Sequence, residues 1–234
     1  GYYEEYKEDE PLSDYGRPDI QIGGETISQS DIIRRKWMTN DFYGLIYSLK
    51  YINKRLEASV GGAVNGFFGD HFGKIVWMSN AGNTEMNHRW YINSGDKAEI
   101  SVYGKGSFKV NEKLSVFGDL QYRFIDYIMM GSDDDLKDLT QNHKFSFFNP
   151  KAGIFYTPSK NQEAFLSFSV AGREPTRSDF KEAVGDPEAT PKQETLYDVE
   201  TGYKLAANKI SFSVNLFGMF YKDQLVPTGE LSDV

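Results

Sequence analysis

The sequence has no cysteine and only three histidines among its 234 residues. Without cysteine there is no disulfide framework, no thiolate zinc site and no cysteine nucleophile. The mean hydropathy is -0.54, and no run approaches the roughly 20 apolar residues of a membrane-spanning helix. Negative charge exceeds positive charge, with a net charge of -8 at pH 7. This argues against a nucleic-acid partner, because phosphates are neutralised by clustered Lys and Arg.

Motifs for catalysis or for a bound cofactor are missing as well. The sequence has no phosphate-binding P-loop, no G-x-S-x-G elbow and no H-E-x-x-H zinc motif, so we expect no catalytic residue, no cofactor and no enzyme activity. The nearest metal candidate is Asp133-Asp134-Asp135 with Asp138. Its spacing is not that of an EF-hand loop. We therefore favour a solvated acidic loop for these residues and predict no metal site.

What the sequence does contain is aromatic residues and glycine, with 17 Phe, 15 Tyr and 22 Gly. This mixture favours strands joined by tight turns. Apolar and polar residues alternate over long runs, most cleanly in residues 100–110 and 114–124. Such runs exceed the roughly five or six residues usual for strands of globular proteins. They match the roughly 9–11 residues with which a tilted strand crosses a bilayer.

The alternation predicts about nine strands. Residues 1–39 have no sustained apolar period and are predicted to be loop. The triplet Ser94-Gly95-Asp96 is a strong turn signal. Long connections are expected at residues 66–86, around Asp133 with an end near Ser146, and at residues 173–193. The predicted strands cover residues 41–52, 56–65, 88–93, 100–110, 114–124, 148–157, 163–172, 195–205 and 209–223.

The connections between these strands alternate between short and long. Outer-membrane barrels have short periplasmic turns and long extracellular loops, so the sequence predicts an all-β, antiparallel transmembrane β-barrel segment. Aromatic residues near strand ends on the apolar face, where barrels carry interfacial girdles, support this; they are Tyr43, Tyr51, Tyr122, Tyr156 and Phe220. A soluble carbohydrate-binding β-sandwich is the alternative. It predicts shorter strands and no regular order of short and long connections.

Three segments in the second half of the chain carry recognisable motifs. Residues 172–180 read GREPTRSDF, residues 191–203 read PKQETLYDVETGY, and residues 217–226 read FGMFYKDQLV. Their order and spacing resemble those of barrel strands and an intervening loop in TonB-dependent outer-membrane receptors. The first half of the chain is similar in its alternation but not in motif.

The resemblance implies a barrel of about 22 strands around a plug domain, after a signal peptide and a segment that contacts TonB. On this basis we assign residues 1–39 to an extracellular loop region and residues 40–234 to about nine strands of the barrel. We recognise no plug domain and no signal peptide, so the chain is expected to be part of a longer protein. The implied partners are its own plug, TonB, outer-membrane lipid and an extracellular small ligand.

Loops at the outer rim supply the candidate ligand-facing residues, which are His71, Trp77, Arg173 and Arg177. His71 and Trp77 belong to an aromatic stretch that would stack on a flat or sugar-like ligand, or pack on itself. The resemblance puts Arg173 and Arg177 at the rim, where they would pair with the plug or an anionic ligand, or form structural ion pairs. A haem ligand would use His71 and His143.

The leading functional expectation is a TonB-energised receptor of the bacterial outer membrane for a scarce, large nutrient. An iron–siderophore complex or haem is the expected ligand. A passive porin or an adhesin barrel is the alternative among membrane barrels. The soluble carbohydrate-binding sandwich is the alternative outside them.

Overall fold

One antiparallel sheet of nine strands dominates the computed structural model, which describes residues 1–185, 190–207 and 209–226. Its order is β1-β4-β5-β6-β7-β8-β9-β10-β11, while β2 and β3 form a separate two-stranded hairpin. In the described part of the chain, helices are too short or too polar to span a bilayer. The elements are β1 (Tyr2–Pro11), a 3-10 helix (Leu12–Tyr15), β2 (Ile20–Ile22), β3 (Glu25–Ile27), β4 (Gln29–Ile52), β5 (Leu56–Met78), β6 (His88–Lys109), β7 (Leu114–Gly131), β8 (Gln141–Ser159), β9 (Gln162–Arg173), α1 (Arg177–Glu182), β10 (Glu194–Ala207) and β11 (Ile210–Lys222).

The strands are far longer than those of soluble sandwiches. β4, β5 and β6 contain 24, 23 and 22 residues, against roughly five or six in a typical globular strand. Connections alternate as the sequence predicts: residues 53–55, 110–113 and 160–161 are short, whereas residues 79–87, 132–140 and 174–193 are long. The all-β antiparallel prediction is confirmed, and the two features on which the sandwich alternative depends are not observed.

The register of the strands assigns each side chain to one of two faces, because successive residues of a strand point to opposite sides. We call one the bare face, which carries Leu45, Val64 and Ile100 as cross-strand partners. We call the other the loop-bearing face, which carries Ile125, Tyr127 and Phe145. The two faces differ in what covers them. Ile125 is fully buried, whereas Leu45 is 67% exposed.

An apolar band runs across the bare face. Over about ten residues of each long strand, no bare-face position of this band carries a charged side chain. Members spread over eight strands are Leu45, Leu49, Val60, Val64, Ile100, Val102, Leu120, Ile154, Leu166, Phe168, Val199, Val214 and Leu216, and each is exposed. All five predicted girdle aromatics also lie exposed on this face. At the same level the loop-bearing face carries Lys105, Asp119, Gln121 and Lys151, which surround a polar cleft.

Beyond the apolar band, on the side of the long connections, the sheet continues as an extension. We define the extension as β1 with residues 29–42, 67–78, 88–97, 125–131 and 141–147. Its bare face carries charged side chains, among them Arg35, Asp41, Asp70 and Lys74. Its loop-bearing face is covered by chain segments that build two small cores.

The first cluster on the loop-bearing face consists of Leu12, Tyr15, Ile32, Ile75, Met78, Trp90 and Tyr91. It joins the 3-10 helix to β4, β5 and β6. The second cluster consists of Ile125, Tyr127, Met129, Phe145, Phe147 and Phe180, and it joins α1 to β7 and β8. Burial of these side chains is the driving force that holds loop segments against the sheet.

The prediction that residues 1–39 are loop is wrong for four stretches, because β1, β2, β3 and the first part of β4 occupy them. The acidic residues of β1 form ion pairs with arginines on the neighbouring strand. Glu4 Oε2 lies 2.5 Å from Arg35 Nε, and Glu5 Oε2 lies 2.9 Å from Arg34 Nη2. Cross-strand charge pairs of this kind stabilise a strand whose own composition disfavours it.

The predicted loop at residues 66–86 is wrong for residues 66–78, and the predicted turn at Ser94-Gly95-Asp96 is also wrong. β5 continues to Met78, and β6 runs through the triplet without interruption. Gly95 is paired on both sides, with Gly69 on β5 and Met129 on β7. Pairing with two neighbours therefore overrides the local turn preference. The predicted number of about nine strands still agrees with the large sheet, because β1 is gained while the strands at 88–93 and 100–110 merge; the hairpin of β2 and β3 is additional.

Two glycines on adjacent strands test the packing of the sheet. A Cβ at Gly153 would lie 2.5 Å from Phe117 Cε1 and 2.6 Å from the carbonyl oxygen of Leu166, whereas one at Gly118 would meet nothing closer than 3.9 Å. We expect Gly153→Ala to lower the free energy of unfolding by about 1–3 kcal/mol through overpacking. Gly118→Ala, the matched control, should change it little. Urea unfolding monitored by tryptophan fluorescence measures both, and equal effects would contradict this account.

Candidate functional site

The connection that follows β9 lies against the loop-bearing face, and we call residues 174–185 the docked loop. Its helix α1 begins with a capping box, in which the Thr176 side chain accepts from the Asp179 backbone N–H and the Asp179 carboxylate accepts from the Thr176 backbone N–H. Phe180 of α1 is 1% exposed. Its ring stacks on His143 with 4.0 Å between centroids and contacts Tyr127 edge-on at 6.3 Å.

Asp133 is the centre of a buried polar network beside the docked loop. Its carboxylate lies 2.7 Å from Lys181 Nζ and 3.1 Å from Arg177 Nη2. Arg177 Nη2 also donates to Asn93 Oδ1 at 2.8 Å, and Asn93 Nδ2 donates to Asp133 Oδ1 at 3.1 Å. Asn93 is 1% exposed and Asp133 is 6% exposed. The network therefore satisfies two buried polar groups that would otherwise destabilise the fold.

Asp134 extends this network to the rest of the extension. Its carboxylate pairs with Lys36 of β4 and lies 3.2 Å from Lys181 Nζ. Its backbone carbonyl accepts from Trp90 Nε1 at 3.3 Å, and Trp90 belongs to the first cluster. The connection 132–140 thus joins both clusters to the docked loop.

The interpretation of Asp133–Asp135 as a solvated acidic loop is wrong in its main part. Carboxylate oxygens of the three residues lie within 4.8 Å of one another. The Lys181 ammonium lies among them, at 2.7 Å, 3.2 Å and 3.9 Å from Asp133, Asp134 and Asp135. A lysine therefore supplies the positive charge that a metal ion would supply.

The charges around Asp133 shift its pKa. Burial alone would raise the pKa of this carboxyl, but the hydrogen bond from Lys181 and the charges of Arg177 and Lys181 outweigh burial and hold the pKa below its ordinary value. The pKa of Asp134 is lowered in the same way, because Lys36 and Lys181 outweigh its burial. Both carboxylates are therefore charged at neutral pH, and their pairing stabilises the docked loop there.

Two of the four predicted site residues come together on the loop-bearing face. His71 lies on β5 as the cross-strand partner of Asn93, and Asn93 holds Arg177. Burial, and then the charge of Arg177, lower the pKa of His71 below its usual value. Its imidazole is therefore neutral at pH 7. Within the described residues it accepts or donates no hydrogen bond to another group, so a ring nitrogen is available to a ligand.

The other two predicted residues do not join this site. Trp77 alternates with Met78, which is buried in the first cluster, and is itself 47% exposed; it therefore faces the opposite side of the sheet from Met78. The Arg173 side chain is 66% exposed and lies 3.1 Å from Glu194, its cross-strand partner on β10. His143 contacts the Gln141 side chain at 2.7 Å and stacks on Phe180, so it supports the docked loop.

The sequence did not single out Asn93, Phe180 or Lys181 as site residues. Asn93 and Arg177 are 84 residues apart in the chain, and no local pattern connects them.

A separate groove of about 810 Å³ lies on the bare face, lined by Tyr43, Leu45, Phe68 and Ile128. It is on the wrong side of the sheet to share residues with His71 and Arg177, so it is not part of this site.

The fold itself defines a class of protein. Its described residues form long antiparallel strands, with an exposed apolar band that carries no charge on the bare face and with long connections at one rim. Together these are features of barrel-forming membrane proteins. The family model for the TonB dependent receptor-like beta-barrel matches residues 1–233. The chain belongs to that family.

A solved structure of low sequence identity shares the fold, that of FecA. The ferric citrate transporter FecA, in its unliganded form, matches with a TM-score of 0.56 and 10% identity, over 81% of this chain and 29% of its own. The ferric-catecholate import receptor Fiu from Escherichia coli K12 matches with a TM-score of 0.48 and 11% identity, over 93% of this chain and 36% of its own. The chain thus spans about a third of each structure. No curated protein sequence matches it.

The pH dependence of loop docking follows from the lowered pKa of Asp133. The paired Asp133 carboxylate stabilises the docked loop fully when the pH is above 3.8, the usual pKa of the group. This stabilisation is lost as the pH falls through the lowered pKa of the folded state. Lys181→Gln removes the largest opposing interaction, so the loop should open at a higher pH. We expect amide hydrogen exchange in residues 177–183 to become about tenfold faster at pH 5, since a hydrogen bond to a charged group contributes about 1.5–3 kcal/mol.

Lys137→Gln is the matched control for this experiment. Among the described residues, Lys137 pairs only with Asp135, at 3.2 Å, and its side chain is 52% exposed, so exchange in residues 177–183 should stay as in the unaltered protein. Equal acceleration by both substitutions would mean that general charge, and not the contact with Asp133, holds the loop.

Proposed function

We propose that this chain is part of the wall of a TonB-energised receptor in the bacterial outer membrane. The observation that carries the proposal is the contrast between the faces of one sheet. The bare face is uncharged over its whole apolar band, which suits lipid. The loop-bearing face is polar at the same level and is overlaid by long loops at one rim, which suits the interior of a barrel.

The orientation follows from the connections. Long loops belong to the extracellular rim and short turns to the periplasmic rim, so the extension and the docked loop lie outside the membrane. Tyr43 and Tyr51, exposed at 60% and 58%, mark the two ends of the apolar band on β4. The proposed division into an extracellular region 1–39 and a barrel part 40–234 agrees with a band that starts at Tyr43.

We propose further that an iron–siderophore complex or haem binds at the loop-bearing face of the extension. The neutral imidazole of His71 is a suitable iron ligand or hydrogen-bond acceptor, and Arg177 carries a positive charge beside it. For haem, His71 is the better of the two candidate histidines, because His143 is engaged with Gln141 and Phe180. FecA is named as a ferric citrate transporter and Fiu as a ferric-catecholate import receptor.

The proposed partners are those of a plugged receptor. A plug domain would fill the space in front of the loop-bearing face, where Tyr103, Lys105 and Asp119 line a polar cleft. TonB would act through the plug. A passive porin or adhesin barrel would need neither partner, so uptake that is independent of TonB would favour that alternative.

The membrane location is tested by charged substitutions at neighbouring positions. Val102 is on the bare face and Ser101 is on the loop-bearing face of β6. We expect Val102→Lys to destabilise the receptor in lipid vesicles by about 2–4 kcal/mol, as charges at mid-membrane do. Ser101→Lys should cost less than about 1 kcal/mol. Guanidinium unfolding in vesicles measures the difference, and similar values for both variants would exclude lipid contact at Val102.

The ligand site is tested by calorimetric titration of the complete receptor with ferric siderophores, haem, cobalamin and glycans. We expect His71→Ala to weaken binding of an iron-containing ligand about tenfold, equivalent to about 1.4 kcal/mol. Trp77→Ala removes an exposed ring from the other side of the sheet and should leave the affinity unchanged. If Trp77→Ala weakened binding and His71→Ala did not, the ligand would bind elsewhere.

A further inference from the structure

A row of three cations crosses the bare face of the extension. Arg35 on β4, Lys74 on β5 and Arg89 on β6 are cross-strand partners. Arg35 Nε donates to Glu4 Oε2 at 2.5 Å. Lys74 and Arg89 contact the ring of Phe72, and neither pairs with a carboxylate among the residues that the structure describes. In a chain with a net charge of -8, two unpaired neighbouring cations are an attractive site for an anion.

Aromatic rings form the adjacent row. Tyr2, Trp37 and Phe72 are cross-strand partners, with ring centroids 4.3 Å and 6.0 Å apart. Lys74 Nζ and Arg89 Cζ lie 5.7 Å and 4.8 Å from the Phe72 centroid, so the cations are held over the aromatic row. We call these residues the cation–aromatic surface: Tyr2, Arg35, Trp37, Phe72, Lys74 and Arg89.

This surface is separate from the proposed nutrient site. Lys36, which alternates with Arg35 and Trp37, points to the loop-bearing face, where it pairs with Asp134. The cation–aromatic surface therefore faces outward from the sheet, away from His71 and Arg177. Large apolar surface combined with unpaired charge is unusual on a face that serves no contact.

The cation–aromatic surface lies so far above the apolar band that lipid headgroups cannot reach it. Arg35 precedes Tyr43 by eight residues, which is about 27 Å along the strand and about 20 Å along the membrane normal at the usual tilt. Phospholipid headgroups extend only about 5–8 Å beyond the hydrocarbon. Asp41, Asp70 and Asp96 occupy the bare face between band and surface, and their charge repels anionic headgroups at that lower level.

The chemistry of the surface favours a sugar over a peptide strand. β4 and β5 are paired along both of their edges here, so neither strand has backbone groups free for strand addition. Flat rings in a row offer stacking surfaces to sugar rings, and the two unpaired cations offer donors to phosphate, sulfate or carboxylate groups. We propose that the cation–aromatic surface binds an anionic glycan that stands above the membrane on the outside of the barrel.

The test uses the receptor in detergent micelles, with dextran sulfate as the anionic glycan and uncharged dextran of equal length for comparison. Calorimetric titration should detect binding of dextran sulfate only. The double variant K74Q/R89Q should raise its Kd at least about tenfold. Trp37→Leu, which keeps all charges, should raise it about three- to tenfold by removing a stacking ring. Binding of the iron ligand should be unchanged in both variants.

The matched control is K109Q/K113Q, which removes two positive charges at the opposite rim. Its Kd for dextran sulfate should remain that of the unaltered receptor. The proposal is overturned if the control weakens binding as much as K74Q/R89Q does, or if dextran sulfate does not bind. It is also overturned if polyglutamate competes as well as dextran sulfate, because an acidic peptide would then suffice. Circular dichroism checks that each variant is folded.

Discussion

Strand register is the constraint on which the rest of this structure depends. Side chains alternate along a strand, so a slip of one residue between neighbours would exchange the two faces. In the paired region from Asn93–Gly131 to Lys109–Ser115 the register of β6 and β7 is unbroken. Every apolar band residue of the two strands thereby lies on one side, and Arg123, Glu99 and Lys105 lie on the other. The same register places Asn93 where Arg177 and Asp133 reach it.

How far the sequence predicts the structure depends on which interactions hold each part. Alternation of apolar and polar residues is a local property, so the strands that carry the apolar band, the short–long order of connections and the girdle aromatics were predictable. The extension was not, because its strands depend on partners far along the chain. The acidic segment of β1 pairs with Arg34 and Arg35, and Gly95 is held by strands on both sides. Turn and loop preferences are weaker than such pairing.

The candidate site was predictable only in part, for a related reason. Arg177 and His71 were identified from residue type and rim position, and the structure brings them to the same face. Trp77 was misplaced because a stretch expected as loop is a strand, in which neighbouring residues point to opposite sides. Asp133 was noticed as part of an acidic run, but its role depends on Lys181 and Arg177, which lie on the same docked loop as the buried Phe180.

Two β-bulges lie at the base of the outermost part of the extension. They determine where the strands can accept a single-residue insertion during evolution. The register shifts between Ile33 and Arg34 on one ladder and between Gly73 and Lys74 on the next, where Trp90 and Tyr91 are both buried. A bulge absorbs one residue without disturbing the strand below it. The side of the sheet to which side chains above the bulges point can therefore change without a change in the apolar band. Single-residue insertions near the rim can therefore turn side chains of the extension to the other face during evolution, while the apolar band keeps its pattern.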